Sequence, residues 1–443
     1  MHIEHIKRNT MSKQTSKLVE KKYLIPFILV TSLFALWGFA NDITNPMVAA
    51  FQTLMELSAA KASLVQFAFY GGYATMAIPA ALFIRKYSYK SGILVGLGLY
   101  AIGAFMFIPA AAYQEFTFFC ISLYVLTFGL AFLETTANPL ILSLGDPKTS
   151  TRRLNLAQAF NPIGSLSGMA VAALIVLPNL ISDKRDAAGE VIFHTLSQAE
   201  KADIRLHDLA TIRDPYVMLG LLVFVVFLVF VFTKIPQTRG EGVEVKTSDT
   251  LRRLWANKLY RSGVVAQMFY VAAQIMVWTF IIQYADNLGI DKATAQKFNI
   301  AAMALFLTSR FISTFLMKYI NSRRLLMFFG IGACITSLGT ILIQGMGGLY
   351  CLIGISGFMS LMFPTIYGIA LEDVKAEDTT LGAAFLVMAI VGGAVMPPLQ
   401  GYVIDFGTIC HLPAVNASFA LPFICFVIVA SYGWRASKAV KKG

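Results

Sequence analysis

Three charged residues, Asp42, Glu134 and Arg310, lie inside long apolar runs of the sequence. An ionisable side chain at bilayer depth costs roughly 3 kcal/mol or more, even when it snorkels or draws in water. Such a residue is usually retained because it pairs with another group, faces a wet cavity or takes part in ion movement. The three residues therefore predict a membrane transporter.

The first apolar run carries a polar face next to a proline. Trp37, Asn41 and Asn45 are spaced at i, i+4 and i+8, so they share one side of a helix. Asp42 lies about 60° around the helix from Asn45. Pro46 supplies no N–H, so the carbonyl of Asp42 loses its helical partner. We predict a bent, polar segment that binds substrate through the first three residues. The alternative is a polar seam between helices.

The fourth apolar run places a carboxyl group one turn before an Asn-Pro pair. Glu134 and Asn138 are i, i+4 neighbours, and Pro139 frees the carbonyl of Thr135. Because burial disfavours the charged form of a carboxyl group, a buried glutamate can exchange protons near working pH. We predict that Glu134 carries protons and that Asn138 contacts substrate. The alternative is a structural glutamate held neutral by hydrogen bonds.

The fifth apolar run opens with amide side chains and a third Asn-Pro pair. Asn155 and Gln158 are spaced at i, i+3, and Asn161 precedes Pro162, which releases the carbonyl of Gln158. Proline-broken helices at membrane depth are tolerated where they line a cavity. We therefore predict that the three amides bind substrate and that the amino-terminal half is the chemically active one.

The seventh apolar run carries a stripe of amide and aromatic side chains. Gln267, Tyr270, Gln274 and Trp278 fall at i, i+3, i+7 and i+11, and Tyr367 adds a polar aromatic group on the tenth run. Amides bond hydroxyl groups and aromatic faces pack against C–H groups, so this surface suits a sugar. We predict that all five residues bind substrate; the alternative is a stripe that only packs helices together.

Basic residues at helix ends predict structural or gating roles. Arg85 lies near the end of the second run, Lys318 near the end of the eighth, and Arg310 lies within the eighth. The segments 83–87 and 315–319 both run from an aromatic residue through a basic one to a tyrosine, and each leads into a short basic turn. We expect Arg310 to be satisfied by carbonyl groups or a carboxylate, and the matching segments indicate a repeat of two halves.

Composition supports a membrane protein throughout the chain. Of the 443 residues, 57% are hydrophobic and 14% charged, whereas a soluble chain carries about a quarter charged residues. Twelve runs are long enough to cross an apolar core of about 30 Å as helices. The segment 180–215 is predicted to be a solvated connector that can form a short helix from Gln198 to Leu209. The predicted helices are residues 23–51, 62–84, 91–112, 116–143, 153–179, 216–235, 262–288, 296–318, 323–345, 347–371, 379–405 and 411–434.

The net charge of +12 is a topology signal rather than a sign of nucleic-acid binding. Basic residues concentrate in loops on one side of the predicted helices, which places both termini in the cytoplasm of a multi-pass inner-membrane protein. A basic central segment separates six helices from six. The predicted organisation is therefore a cytoplasmic tail (1–22), a six-helix bundle (23–235), a cytoplasmic linker (236–261), a second bundle (262–434) and a tail (435–443).

Motifs for other chemistry are missing from the sequence. It contains no Walker sequence, no G-x-S-x-G elbow and no H-E-x-x-H. The five cysteines form no C-x-x-C pair, and the five histidines lie outside the apolar runs. We expect no enzyme activity, no metal and no cofactor, and we expect transport by a monomer in the lipid bilayer, driven by a gradient.

Four motifs resemble the L-fucose–proton symporter family of the major facilitator superfamily: residues 36–41, 133–139, 153–161 and 363–366. The resemblance extends from about Tyr23 to Trp434. It implies an all-α major facilitator fold of two six-helix halves. It also implies proton-coupled uptake of a hexose, L-fucose first, across a bacterial inner membrane by alternating access. In the family, a glutamate matching Glu134 is linked to proton coupling and an aspartate on helix 1 to substrate and proton handling.

The sequence departs from that family at the acidic residue of helix 1. The family's aspartate aligns with Asn45 of this sequence, whereas the acidic residue here is Asp42. Either Asp42 substitutes for it, or Glu134 is the sole proton carrier. The same family includes glucose/galactose and N-acetylglucosamine carriers, some coupled to other cations, so these substrates and Na⁺ coupling stay alternatives. A drug antiporter of the same fold is disfavoured by the amide-rich faces, and a sugar-sensing receptor by the lack of a signalling domain.

Overall fold

The computed structural model describes residues 18–57, 64–182, 184, 192–235, 247–290, 292–404, 406–409 and 411–439. Most of the predicted amino-terminal tail and residues 236–246 of the predicted linker lie outside the described residues. Within them the chain is nearly all helical. The only strands that the structure describes are β1 (Thr408–Ile409) and β2 (Leu412–Pro413), which pair antiparallel in one short hairpin.

Twelve helical segments form the body of the molecule, which confirms the predicted all-α class. In the described part of the chain, eleven segments are long and apolar enough to cross a membrane, and the 23-residue helix Leu64–Lys86 completes the set. They are α1 (Leu24–Leu54), α2 (Leu64–Lys86), α3 (Tyr89–Tyr113), α4 (Phe116–Ser143), α5 (Pro147–Asn179), α6 (Gln198–Phe232), α7 (Lys258–Asn287), α8 (Lys292–Leu316), α9 (Ser322–Leu342), α10 (Met346–Glu372), α11 (Ala376–Ile404) and α12 (Ala414–Lys438).

Helix α6 begins 18 residues before the predicted start at 216, because part of the predicted connector is helical. Ser197 accepts the backbone N–H of Glu200, and the Glu200 carboxylate accepts the backbone N–H of Ser197. This reciprocal pair is a capping box, which satisfies two of the N–H groups that a helix start leaves open. The structure therefore contains the helix predicted from Gln198 to Leu209 and continues it without a break into the membrane-spanning part of α6.

Prolines affect the helices in two different ways. Helix α5 is interrupted after Gln158 and restarts at Asn161, with Pro162 in its first turn. Helix α4, in contrast, runs unbroken through Pro139. Helix α10 has a similar interruption between Met359 and Met362. The breaks in α5 and α10 expose backbone carbonyls to side chains from other helices.

The helices pack in two groups that meet along a shared boundary. In the first group α1 packs on α5, α2 and α3 pack on α4, and α6 packs on α3; in the second, α7 contacts α10, α11 and α12, and α9 lies between α10 and α12. Across the boundary, α2 and α4 contact the first turns of α11, and α5 contacts α8 and the last turns of α10. Most of these cross-boundary contacts lie at the end of the molecule that also carries the helix Thr247–Ala256, named here the linker helix. We call this end the linker end, and the opposite one the loop end.

The two groups repeat a local contact. Lys86 lies over the ring of Tyr87 with its Nζ 5.5 Å from the ring centre, and Lys318 lies over Tyr319 at 5.7 Å. The same cation–aromatic pair thus closes α2 in one group and follows α8 in the other, within the two matching sequence segments.

Helices α1 and α5 approach each other through glycine. A Cβ added at Gly164 would overlap the backbone carbonyl of Ala35, and one added at Gly38 would overlap that of Asn161. Gly164 and Gly168 form a G-x-x-x-G pair, the spacing that lets membrane helices cross at close range. This crossing fixes the polar segment of α1 against the break in α5.

Candidate functional site

A cavity lies between the two groups of helices, bordered by the segments that the sequence singled out. The cavity volume is about 140 Å³. Its first-group wall consists of Phe34, Trp37, Asn41, Asp42, Tyr70, Tyr73, Glu134, Gln158, Asn161, Pro162 and Ser165. Its second-group wall consists of Val271, Gln274, Ile275, Trp278, Met303, Phe306, Arg310, Phe363 and Ile390.

Helix α1 contributes an aromatic and polar strip. Trp37, Asn41 and Asp42 all line the cavity. The Trp37 indole stacks on Phe34 at 5.8 Å between ring centres and on Tyr73 at 6.4 Å. The Asp42 residue is 6% exposed, so its carboxyl group lies at a nearly buried position of the wall. The backbone of Asn45 continues α1, but its side chain lies outside the described residues.

Glu134 presents a buried carboxyl group to the cavity. The residue is 1% exposed, and its Oε2 has no hydrogen-bond partner among the described residues. A buried polar atom without a partner destabilises the protein. A proton on this oxygen, or a substrate hydroxyl that donates to it, would remove that cost. Asn138 donates from Nδ2 to the Glu134 carbonyl at 3.1 Å and accepts from Gln158 Nε2 at 2.8 Å. These two bonds hold the Glu134 segment against the break in α5.

The amides of α5 divide between the cavity and the interface. Gln158 and Asn161 line the cavity, and Asn161 donates to the Phe34 carbonyl at 3.2 Å. Asn155 is buried instead, where its Nδ2 donates to the hydroxyl of Thr365 on α10 at 3.1 Å. Asn155 therefore bonds one group of helices to the other.

The stripe on α7 also divides. Gln274 and Trp278 line the cavity, and the Trp278 indole N–H donates to the Ser356 hydroxyl at 3.2 Å. Tyr270 is fully buried and donates to the Met359 carbonyl at 3.1 Å. Gln267 is also fully buried, and neither atom of its amide group has a partner among the described residues.

Five predicted substrate ligands do not line the cavity in this structure. Each lies one or two turns nearer to the linker end than a wall residue on the same helix. Helical spacing fixes the face that a side chain occupies, but it does not fix the depth at which the cavity closes. The five residues are Asn138, Asn155, Gln267, Tyr270 and Tyr367.

Arg310 lies at the cavity wall and bonds to both groups of helices. Its Nη1 donates to the backbone carbonyl of Gln158 at 3.0 Å, and its Nε donates to the carbonyl of Ser360. The guanidinium carbon lies 4.5 Å from the centre of the Phe306 ring. The residue is 3% exposed. Both carbonyl groups belong to helix breaks, one in α5 and one in α10, so carbonyls satisfy Arg310 as the sequence analysis expected.

Polar contacts at the linker end join the linker helix to the second group and the two groups to each other. Arg253 of the linker helix donates twice to the Asp378 carboxylate, at 2.7 and 2.6 Å. Arg85 is nearly buried, and its charge acts on the same carboxylate. The hydroxyls of Tyr89 on α3 and Thr380 on α11 lie 3.2 Å apart. Lys318, in contrast, is exposed beyond the end of α8.

The apolar wall was missed by the sequence analysis. Val271, Ile275, Met303 and Ile390 line the cavity without any polar side-chain N or O atom. In a helix made mostly of apolar residues such side chains carry no distinguishing signal, since lipid, protein and cavity faces all accept them. Among the described residues, no cluster of histidine, cysteine, aspartate and glutamate could hold a metal ion.

Comparison with known proteins places this geometry in a family. Residues 28–397 match the Major Facilitator Superfamily. The chain is 64% identical over 427 residues to the L-fucose-proton symporter of Haemophilus influenzae, covering 96% of this chain and all of that protein. It is 33% identical to the L-fucose-proton symporter of Escherichia coli, covering 92% of each. It is 29% identical to a glucose/galactose transporter of Brucella abortus, covering 97% of this chain and 98% of that protein.

Solved structures agree with the sequence comparisons. The crystal structure of the transporter FucP in the outward conformation superposes with a TM-score of 0.85 at 31% identity, covering 94% of this chain and 99% of that one. The proton:xylose symporter XylE superposes with a TM-score of 0.68 at 13% identity, covering 92% of this chain and 94% of that one. At 13% identity, the match to XylE shows a shared fold alone.

Proposed function

The chain belongs to the major facilitator superfamily, and we propose that it takes up L-fucose together with protons across a bacterial inner membrane. The observation that carries the proposal is the buried Glu134, which borders a polar cavity between two groups of helices and whose Oε2 has no partner in the described part of the chain. The two L-fucose-proton symporters that match nearly the whole chain support the substrate and the coupling ion.

The cavity suits a sugar in its central part. Amide groups of Asn41, Gln158, Asn161 and Gln274 can bond sugar hydroxyls, which both donate and accept. The indoles of Trp37 and Trp278 offer apolar faces to the ring C–H groups. Asn45, on the same face of α1 as Asn41, extends this polar set in the proposal.

The transport cycle that we propose is alternating access. The bundles 23–235 and 262–434 rock about the cavity, and the linker end faces the cytoplasm, because the basic loops favour that side. Most contacts between the groups lie at that end, so the described state faces outward, like the FucP structure that it resembles. Opening to the cytoplasm requires the Asn155–Thr365 and Tyr89–Thr380 contacts to separate.

Proton coupling follows from the position of Glu134. In the outward state the carboxyl group takes up a proton from the external side, and the sugar then binds beside it. Neutral Glu134 can pass through a closed intermediate, whereas its carboxylate would be an unpaired buried charge. Asp42 assists as the second acidic group of the cavity, and Arg310, Arg85 and Lys318 serve structural or gating roles. The protein acts as a monomer with both termini in the cytoplasm.

The experiment that tests this function is uptake of radiolabelled L-fucose by purified protein in proteoliposomes, with and without an inward proton gradient. We expect accumulation that collapses when a protonophore is added. Equilibration that ignores the gradient would leave a sugar facilitator and remove the coupling role of Glu134. Replacing protons by a Na⁺ gradient supplies the control for the coupling ion.

A second candidate substrate is glucose or galactose, because the Brucella relative with that name matches almost the entire chain. Uptake of labelled D-glucose, D-galactose and N-acetylglucosamine in the same vesicles distinguishes the candidates. No L-fucose uptake together with accumulation of one of these sugars would replace L-fucose in the proposal and keep the mechanism.

A further inference from the structure

The two walls of the cavity differ in chemistry. In the first-group wall, every residue except Phe34 and Pro162 has a side chain with a polar atom. The second-group wall is dominated by side chains without a hydrogen-bonding N–H or O–H group. They are Val271, Ile275, Met303, Phe306, Phe363 and Ile390.

The polar groups of the second-group wall are mostly engaged already. Arg310 donates to two backbone carbonyls and lies against Phe306. Trp278 donates its indole N–H to Ser356. Of the described wall residues in this group, Gln274 and the remaining N–H groups of Arg310 are left to bond a sugar hydroxyl. A bound sugar must therefore turn most of its hydroxyls toward the first group and its least polar part toward the second.

Three residues of the apolar wall lie on two helices that contact each other, α7 and α8. Val271 and Ile275 are one turn apart on α7, and Met303 lies on the adjacent helix α8. Val271 and Met303 are only 4% and 3% exposed, so a group that contacts them leaves water. A methyl group gains from that contact. A hydroxymethyl group would lose hydrogen bonds to water and find no partner.

We propose that Val271, Ile275 and Met303 form a subsite for the C6 methyl group of a 6-deoxyhexose, and so select deoxy sugars over their 6-hydroxyl counterparts. This inference rests on the proposed function, because it takes a hexose in this cavity as given. L-fucose is 6-deoxy-L-galactose, so the two sugars differ only in the group that the subsite contacts. An apolar pocket rejects an added hydroxyl by no more than about a hundredfold, and we expect a preference of about tenfold.

The test measures binding without transport, through the fluorescence of Trp37 and Trp278 at the cavity wall. Purified protein is titrated with two sugar pairs, L-fucose against L-galactose and 6-deoxy-D-galactose against D-galactose. We expect the site to bind the sugars of one of these two pairs, named here the accepted pair. Within the accepted pair, the 6-deoxy sugar should bind the unaltered protein about tenfold more tightly than its 6-hydroxyl counterpart. Met303→Gln and Val271→Thr, which each introduce a polar group at similar size, should reduce that ratio to about twofold, since the 6-hydroxyl then has a partner.

The matched control is Val265→Thr, the same substitution at a 45% exposed position of the same helix, which should leave the ratio unchanged. Equal binding of both members of the accepted pair by the unaltered protein would overturn the subsite, and this result does not depend on any variant folding. An unchanged ratio in both wall variants would overturn it as well. Failure of L-fucose uptake would instead refute the proposed substrate, while the D-sugar pair would still test the subsite.

Discussion

The guanidinium of Arg310 donates to the backbone carbonyl of Gln158, 3.0 Å away, across the boundary between the two groups of helices. This carbonyl has no helical partner, because Pro162 lies four residues later and supplies no N–H. The same guanidinium bonds the carbonyl of Ser360 at the break in α10. The proline therefore does more than interrupt α5: it creates the acceptor that joins the two groups beside the cavity.

Arg310→Gln should shift the protein toward opening at the linker end. A hydrogen bond to a charged group contributes about 1.5–3 kcal/mol, so its loss changes the equilibrium by tenfold or more. Spin labels at the exposed positions Lys148 and Lys375, in a background without native cysteines, measure the separation of the two groups. The distance distribution should gain a longer component.

Arg324→Gln is the control for the Arg310 substitution, since it removes a charge at an exposed position of the same group. It should leave the spin-label distances as they are. If Arg310→Gln also leaves them unchanged, the Arg310 bonds do not hold the groups together.

Gly164→Ala should destabilise the protein, because its Cβ would overlap the carbonyl of Ala35 and push α1 away from α5. Overpacking of a close contact costs about 1–3 kcal/mol, so the melting temperature in detergent should fall by several degrees. Gly98→Ala is the matched control: a Cβ at Gly98 meets nothing within 4 Å, and alanine is the better helix former. Equal melting temperatures for the two variants would contradict the close crossing.

The sequence was sufficient for the helices and their faces. The apolar runs predicted twelve spanning segments, and the i, i+4 spacing of Trp37 and Asn41 put both on the cavity wall, as found. On α7 the spacing was equally regular, yet Gln274 reaches the cavity and Tyr270 bonds to α10. Spacing along one helix contains no information about where another helix closes the cavity.

Partners of buried polar groups were also beyond the sequence. Pro162 and Pro139 carry the same local signal, but only the segment at Pro162 breaks. The carbonyl that it frees is matched by a guanidinium 152 residues away in the chain. Such a pairing depends on the packing of two separate groups of helices, which no local pattern encodes.

Glu134→Gln should abolish accumulation of sugar and preserve exchange of internal for external sugar. Glutamine has nearly the same shape as protonated glutamate and cannot release a proton, so the loaded carrier can rock but cannot complete a net cycle. Counterflow and gradient-driven uptake in the same proteoliposomes separate the two steps. Full accumulation by this variant would refute the carrier role. Glu115→Gln, at the exposed start of the same helix, should behave like the unaltered protein.

Asp42→Asn distinguishes the two alternatives for the acid on α1. Asp42 borders the cavity beside Asn41, so its loss should weaken sugar binding. If Glu134 carries the proton alone, the variant should raise the half-saturating concentration of sugar about tenfold, the effect of about 1.4 kcal/mol, and still accumulate sugar at saturation. Initial rates over a range of sugar concentrations, together with the final accumulation ratio, measure both effects. Lost accumulation at an unchanged half-saturating concentration would instead assign proton transfer to Asp42. The control is Asp203→Asn, at an exposed position of α6, which should change neither the half-saturating concentration nor the accumulation ratio.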